Sequence, residues 1–149
     1  MTAQQNGQLT RTLYDLFEQD RVDEALAHLT DDVEVVPYSA PGLVFNGKDG
    51  FRAFMAGHKS AFPDIRIQID NQVASDTTVV NECTAIGTHT GPLLSPTGEI
   101  PPTGRLVTLH FCEVWQVRDG KVAGLHNYQD SGDLFTQLGL MPQPQAAGV

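Results

Sequence analysis

The sequence predicts an α+β domain in which three helices cover one face of a curved, mostly antiparallel sheet. Three observations predict it. Apolar residues recur at helical spacing before Pro63, they alternate with period two beyond it, and Asp119-Gly120 stands between two long segments rich in β-branched and aromatic residues. No stretch repeats, and 149 residues make one domain with enough chain to enclose a core or a cavity.

Leu9, Leu13, Leu16 and Phe17 mark a first amphipathic helix over about residues 7–19, with Tyr14 on the edge of its stripe. Val22, Ala25, Leu26 and Leu29 form the apolar side of a short second helix, for which Asp20 is a suitable N-cap. A strand over 33–36 stops at Pro37, and 38–47 is turn-rich. In the third helix, 48–61, Phe51, Phe54, Met55, His58 and Phe62 fall on one stripe. Ile65, Ile67 and Ile69 then alternate with polar residues as a half-buried strand, and 77–86 is the next. Residues 87–104 hold four glycines and four prolines in eighteen positions and read as a loop long enough to be a lid or binding element. A short helix over 131–138 ends at Gly139, and 1–7 and 142–149 read as flexible tails.

Asp119-Gly120 supplies the positive φ angles of a type I′ hairpin turn. Counting outward from it pairs Arg118 with Lys121, Trp115 with Gly124, Glu113 with His126, Phe111 with Tyr128 and Leu109 with Asp130. One face then carries Leu109, Phe111, Trp115, Val117, Val122 and Tyr128 around three titratable groups, Glu113, His126 and Asp130. Ionised groups seldom occupy an apolar wall unless they are paired or used. The opposite face, with Thr108, His110, Cys112, Val114, Gln116, Ala123, Leu125, Asn127 and Gln129, suits a sheet-to-sheet contact in a homodimer.

Charge narrows the partners. Eighteen acidic against nine basic residues, a net charge of −9, disfavour nucleic acid and anionic membranes. The N-terminal segment has neither a basic start nor an apolar run, which points to a cytoplasmic protein. Cys83 and Cys112 show no zinc or redox spacing, and the five histidines show no ligand spacing, so neither metal nor cofactor is expected.

Residues 61–65 (AFPDI), 87–91 (GTHTG), 100–105 (IPPTGR), Glu113-Val114-Trp115, 118–121 (RDGK) and Gln137-Leu138-Gly139 resemble the signature segments of the SnoaL-like polyketide cyclases, on the conical NTF2-like fold. The resemblance implies a cofactor-independent enzyme that closes a ring in a polyketide ester by intramolecular aldol condensation. It implies an aspartate near the end of the last strand as general acid/base, which is Asp130 here. It also implies a homodimer.

The chemistry fits a partly desolvated carboxylate, because a carbon flanked by two carbonyls gives up its proton to a base of moderate strength. Asp130, His126 and Tyr14 are the catalytic candidates. Glu113, Phe111, Trp115, Tyr128, His58, Phe54 and Leu109 are the candidate walls of a pocket for a small hydrophobic substrate. Each has a structural reading beside the functional one: Asp130 as a helix N-cap, Glu113 and His126 as a cross-strand pair, Tyr14 as a boundary residue, and His58, Phe111 and Trp115 as core or rim. Epoxide hydrolysis, isomerisation and non-catalytic ligand binding on the same fold are the competing functions. The hydrolase aspartate-arginine pair is missing from Glu82-Cys83-Thr84-Ala85, and Val36 stands where the isomerase base belongs.

Overall fold

A computed structural model describes residues 2–95 and 98–141, so the C-terminal tail lies outside the described residues. Helices α1 (Ala3–Glu18) and α2 (Val22–Leu26) precede β1 (Leu29–Pro37), β2 (Phe45–Asn46) and α3 (Gly47–Ala61). Then follow β3 (Arg66–Ala74), β4 (Thr78–Thr88), β5 (Leu93–Ser95), β6 (Gly98–Ile100), β7 (Leu106–Arg118), β8 (Lys121–Gln129) and α4 (Ser131–Gln137). Six strands form one sheet in the order β2-β1-β8-β7-β4-β3, antiparallel throughout except for β1 beside β8. The architecture is the expected mixture of helices on a curved sheet, and among the described residues the sheet does not close into a barrel.

Helix α1 starts earlier than the apolar stripe suggests. A capping box does this: Gln5 N–H donates to Thr2 Oγ1 at 3.1 Å and Thr2 N–H to Gln5 Oε1 at 2.8 Å, so most of the supposed flexible segment is helix. Asp20 caps nothing at the start of α2. With φ of 58° it is the left-handed residue that ends α1, where Arg21 N–H reaches Leu16 O and Asp20 N–H reaches Phe17 O.

The glycine- and proline-rich segment is also more ordered than its composition suggests. It carries the β5–β6 hairpin, and its base is pinned to the end of α3: Thr90 and Gly91 N–H both donate to Ala61 O at 3.2 Å. A Cβ on Gly91 would lie 1.8 Å from Ser60 O, so this close passage requires glycine.

The turn at Asp119 and Gly120 has the expected positive φ angles, 52° and 75°, and Arg118–Lys121 and Val117–Val122 pair as expected. Then the register slips. Gln116 pairs with Gly124, Trp115 with Leu125, Glu113 with Asn127, Cys112 with Tyr128 and Phe111 with Gln129, leaving Ala123 as an extra residue. From Gly124 onward every β8 side chain lies on the face opposite to the one expected. The reason is burial: the slip takes Leu125 into the core at 1% exposure and leaves Tyr128 outside at 45%.

The core lies between the concave inner face of the sheet and helices α1 and α3. Leu9, Leu13 and Leu16 of α1 and Phe51, Phe54 and Met55 of α3 pack there against Val79, Cys83, Trp115 and Leu125.

Candidate active site

Three rows of side chains cross the inner face of β4, β7 and β8. Val79–Trp115–Leu125 forms one row, Asn81–Glu113–Asn127 the next, and Cys83–Phe111–Gln129 the third. The middle row is polar and almost entirely buried, with Asn81 at 0%, Asn127 at 4% and Glu113 at 5% exposure. A row of this kind between apolar neighbours is stable only if its groups find one another.

They do so around Tyr14, which α1 lowers onto the row. Tyr14 OH donates to Glu113 Oε1 at 2.8 Å, and Asn127 Nδ2 donates to Glu113 Oε2 at 2.7 Å. The direction of the first bond is fixed by its neighbours. Trp115 Nε1, 3.2 Å from the phenol oxygen, can only donate, and Asn81 Nδ2 donates from 3.4 Å, so the phenol proton goes to the carboxylate. Asn81 is oriented in turn by Gln72 Nε2, which donates to Asn81 Oδ1 at 2.8 Å, while Asn81 Nδ2 also reaches Thr10 Oγ1 at 3.1 Å.

Burial pushes the Glu113 carboxyl from 4.5 up to about 7, against the opposing hydrogen bonds from Asn127 and Tyr14. Tyr14 is raised well above its ordinary value, by burial first and by the Glu113 charge second, and stays a neutral donor. Burial also lifts the Cys83 thiol to about 12, which makes it an inert neighbour and not a nucleophile.

An apolar cavity of about 80 Å³ opens beside the row. Tyr14, Glu113, Trp115 and Asn127 form its buried end, and half-buried Phe17, His58, Ile67, Leu109, Phe111 and Gln129 form its rim. His58 Nδ1 lies 3.0 Å from Phe54 O, an atom that only accepts, so Nδ1 carries the proton and Nε2 is the imidazole's acceptor. Burial moves the His58 pKa below its usual value.

Of the residues singled out from the sequence, Tyr14, Glu113, Phe111, Trp115, His58, Phe54 and Leu109 line this one cavity. Asp130, His126 and Tyr128 do not. The slip at Ala123 turns His126 and Tyr128 to the outer face, where both rings meet Tyr38, at 5.7 and 4.7 Å between centroids. Asp130 stands at the start of α4, where its Oδ1 accepts from Asp133 N–H at 3.0 Å. It borders an open concavity on the outer face with Asp70, Glu82 and Tyr128.

Asn127 and Asn81 are the site residues that sequence reasoning missed. The signal for Asn127 is present: Val122 and Leu125 break the two-residue alternation across Gly124, as a bulge does. Among the described residues no group of three or more His, Cys, Asp or Glu side chains is arranged to hold a metal, and no helix is long and apolar enough to cross a membrane.

The family model of the SnoaL-like polyketide cyclases matches residues 7–138. The chain belongs to that family. The SnoaL-like chain is similar in structure to a candidate SnoaL-like polyketide cyclase from Jannaschia sp. CCS1, with TM-score 0.83, 21% identity and coverage of 95% of this chain and 96% of the other. AclR from Streptomyces galilaeus, described as a candidate hydroxylase, matches with TM-score 0.79 and 21% identity over 97% of this chain and 87% of its own. An NTF2-like protein of unknown function from Burkholderia pseudomallei K96243 matches with TM-score 0.71 and 22% identity over 90% and 97%. At such identities the neighbours show the NTF2-like fold alone, and the two reactions named among them illustrate that fold does not fix chemistry. No curated protein matches the chain.

Proposed function

We propose that this SnoaL-like protein is a cofactor-independent acid/base enzyme that cyclises a polyketide ester or related small hydrophobic carbonyl compound by intramolecular aldol condensation, with Glu113 as the base. One observation carries this reading: a buried carboxyl with a pKa of about 7 at the inner end of an apolar cavity, held by Tyr14 and Asn127. A base poised near neutrality combines adequate strength with a protonation state that can be reversed within the cycle.

In the proposed reaction Glu113 removes a proton from the carbon between two carbonyls. The resulting carbanion attacks a ketone carbon of the same molecule, forming the carbon–carbon bond, and the carbonyl electron pair moves to oxygen. Glu113 then returns its proton to that alkoxide, so the enzyme ends as it began. The cavity is about half the size of one that takes up benzene, ~150 Å³. Only the reacting end of a polycyclic substrate enters it, and the remainder lies across the apolar rim of Phe17, Leu109 and Phe111.

The test is turnover of anthraquinone-type keto-esters by wild type and Glu113→Gln, with product analysis to separate ring closure from simple isomerisation of the same enolate. Glu113→Gln should lose about a hundredfold or more of the rate, the usual contribution of a positioned acid/base group. A variant with full activity overturns the reading. We further propose a homodimer through the outer sheet face, where Ile86 and Tyr128 are 46% and 45% exposed. A monomer by light scattering at micromolar concentration overturns that assignment.

A further inference from the structure

Asn127 has an orientation that its neighbours impose. Its Nδ2 sits 2.7 Å from Glu113 Oε2, and in the ionised state in which Glu113 acts as base that oxygen only accepts, so the amide nitrogen occupies that side and the oxygen is turned away. That oxygen, Asn127 Oδ1, is buried and has no hydrogen-bond partner among the described residues. Every other polar atom of the row is used: both Glu113 oxygens accept, Asn81 Oδ1 accepts from Gln72, and Asn81 Nδ2 donates to Thr10 and Tyr14. An unpaired buried acceptor costs roughly 1–3 kcal/mol, and Asn127 lines the cavity.

The phenol, indole and imidazole donors at this end are committed. Tyr14 gives its one proton to Glu113, Trp115 gives its N–H to Tyr14, and the His58 Nδ1 proton is held by the Phe54 carbonyl. The buried end of the cavity therefore offers an acceptor to an incoming molecule. A bare ketone, ester or epoxide oxygen, which only accepts, finds no free phenol, indole or imidazole proton there and leaves Asn127 Oδ1 unpaired, whereas a hydroxyl satisfies it.

We propose that Asn127 sets the substrate class, its Oδ1 taking a hydrogen bond from a hydroxyl of the substrate next to the carbon that faces Glu113. This deepens the reading of Glu113 as the base and rests on it. The substrate is then an enol, a phenol or an alcohol-bearing carbonyl compound.

Three small probes of similar size, phenol, anisole and toluene, whose substituted edge enters the cavity while the ring lies against the rim, test it by NMR titration of wild type and Asn127→Leu at about pH 8, above the Glu113 value of about 7. Wild type should bind phenol about tenfold more tightly than anisole or toluene, the worth of one good hydrogen bond. Asn127→Leu should bind toluene as well as wild type does, which shows that the cavity is intact, and should lose the preference for phenol. In wild type the carbonyl carbon of the Asn127 side chain should shift with phenol and not with toluene, which stands as the decisive measurement if the leucine variant does not fold. Equal binding of the three probes by wild type overturns the proposal while leaving the cavity and its base in place. So does a phenol preference that survives Asn127→Leu, or an Asn127 side-chain carbonyl that phenol leaves unshifted, since the hydroxyl then sits on another group. Failure of all three probes to bind wild type overturns the proposal and the ligand-cavity reading beneath it.

Discussion

The Glu113 carboxyl should make the stability of this protein fall as pH rises, and Glu113→Gln should abolish that fall. In the unfolded chain the group has its ordinary value of 4.5, and in the fold burial holds it at about 7. Below the lower value both states are protonated and the full stability is present. Between the two values the unfolded state releases its proton while the folded state keeps it, so stability is lost progressively, and the loss is complete above the folded value. A change from 4.5 to about 7 at ~1.4 kcal/mol per tenfold change in proton affinity amounts to roughly 3 kcal/mol. Glutamine has no proton to lose. Whatever fixed cost the substitution brings, the difference in unfolding free energy between variant and wild type should move in favour of the variant by roughly 3 kcal/mol from about pH 4.5 to about pH 8. Asp64 and Asp70, held below the carboxylate range chiefly by hydrogen bonds from Thr88 and Thr84, titrate with the opposite sign at lower pH and cancel in the comparison. The assay is urea unfolding followed by the fluorescence of Trp115, the one tryptophan in the chain and a neighbour of Tyr14 at 5.6 Å. A difference that stays constant from pH 4.5 to 8 would refute the reasoning, because it would mean that Glu113 is solvated in the fold.

Tyr14→Phe removes a hydrogen bond that lowers the Glu113 pKa, so the lower limb of the pH–rate profile should move to higher pH and stability should drop by about 1–3 kcal/mol; pH–rate profiles and urea melts check both. Asp130→Asn should keep most of the activity and nearly all of the stability, because asparagine caps a helix as well as aspartate does. A large loss of turnover with an unchanged melt would return the acid/base role to Asp130. Asp130→Ala, which removes the cap, should cost about 1 kcal/mol in a thermal or urea melt.

Much of the fold was legible because it rests on local signals. The stripes of α1 and α3, the alternation at Ile65, Ile67 and Ile69, and Asp119-Gly120 each act within a few residues of where they are read. The site was legible on β7 and not on β8, for a reason that lies in the sheet. A turn sets register only as far as the first irregularity, and one extra residue exchanges the two faces beyond it. Glu113, Trp115 and Phe111 precede the turn, so they face the cavity as counted. His126 and Tyr128 follow Ala123, so they exchange places with Leu125, Asn127 and Gln129.

That account can be tried directly by deleting Ala123. The shortened strand runs from Val122 straight to Gly124, so a direct count from the turn pairs Gln116 with Gly124, Trp115 with Leu125 and Glu113 with Asn127, the same pairs that the bulge gives in the intact chain. The turn, the buried Leu125 and the Asn127 donor to Glu113 are then all kept, and only the local kink of the bulge is lost. The deletion should therefore leave Leu125 and Asn127 on the inner face and change the urea midpoint little, close to the few tenths usual for a change at a surface position. A protein that lost Ala123 and with it several kcal/mol of stability would show that Ala123 is not the residue that exchanges the two faces, and the register of the last strand would have to be rebuilt.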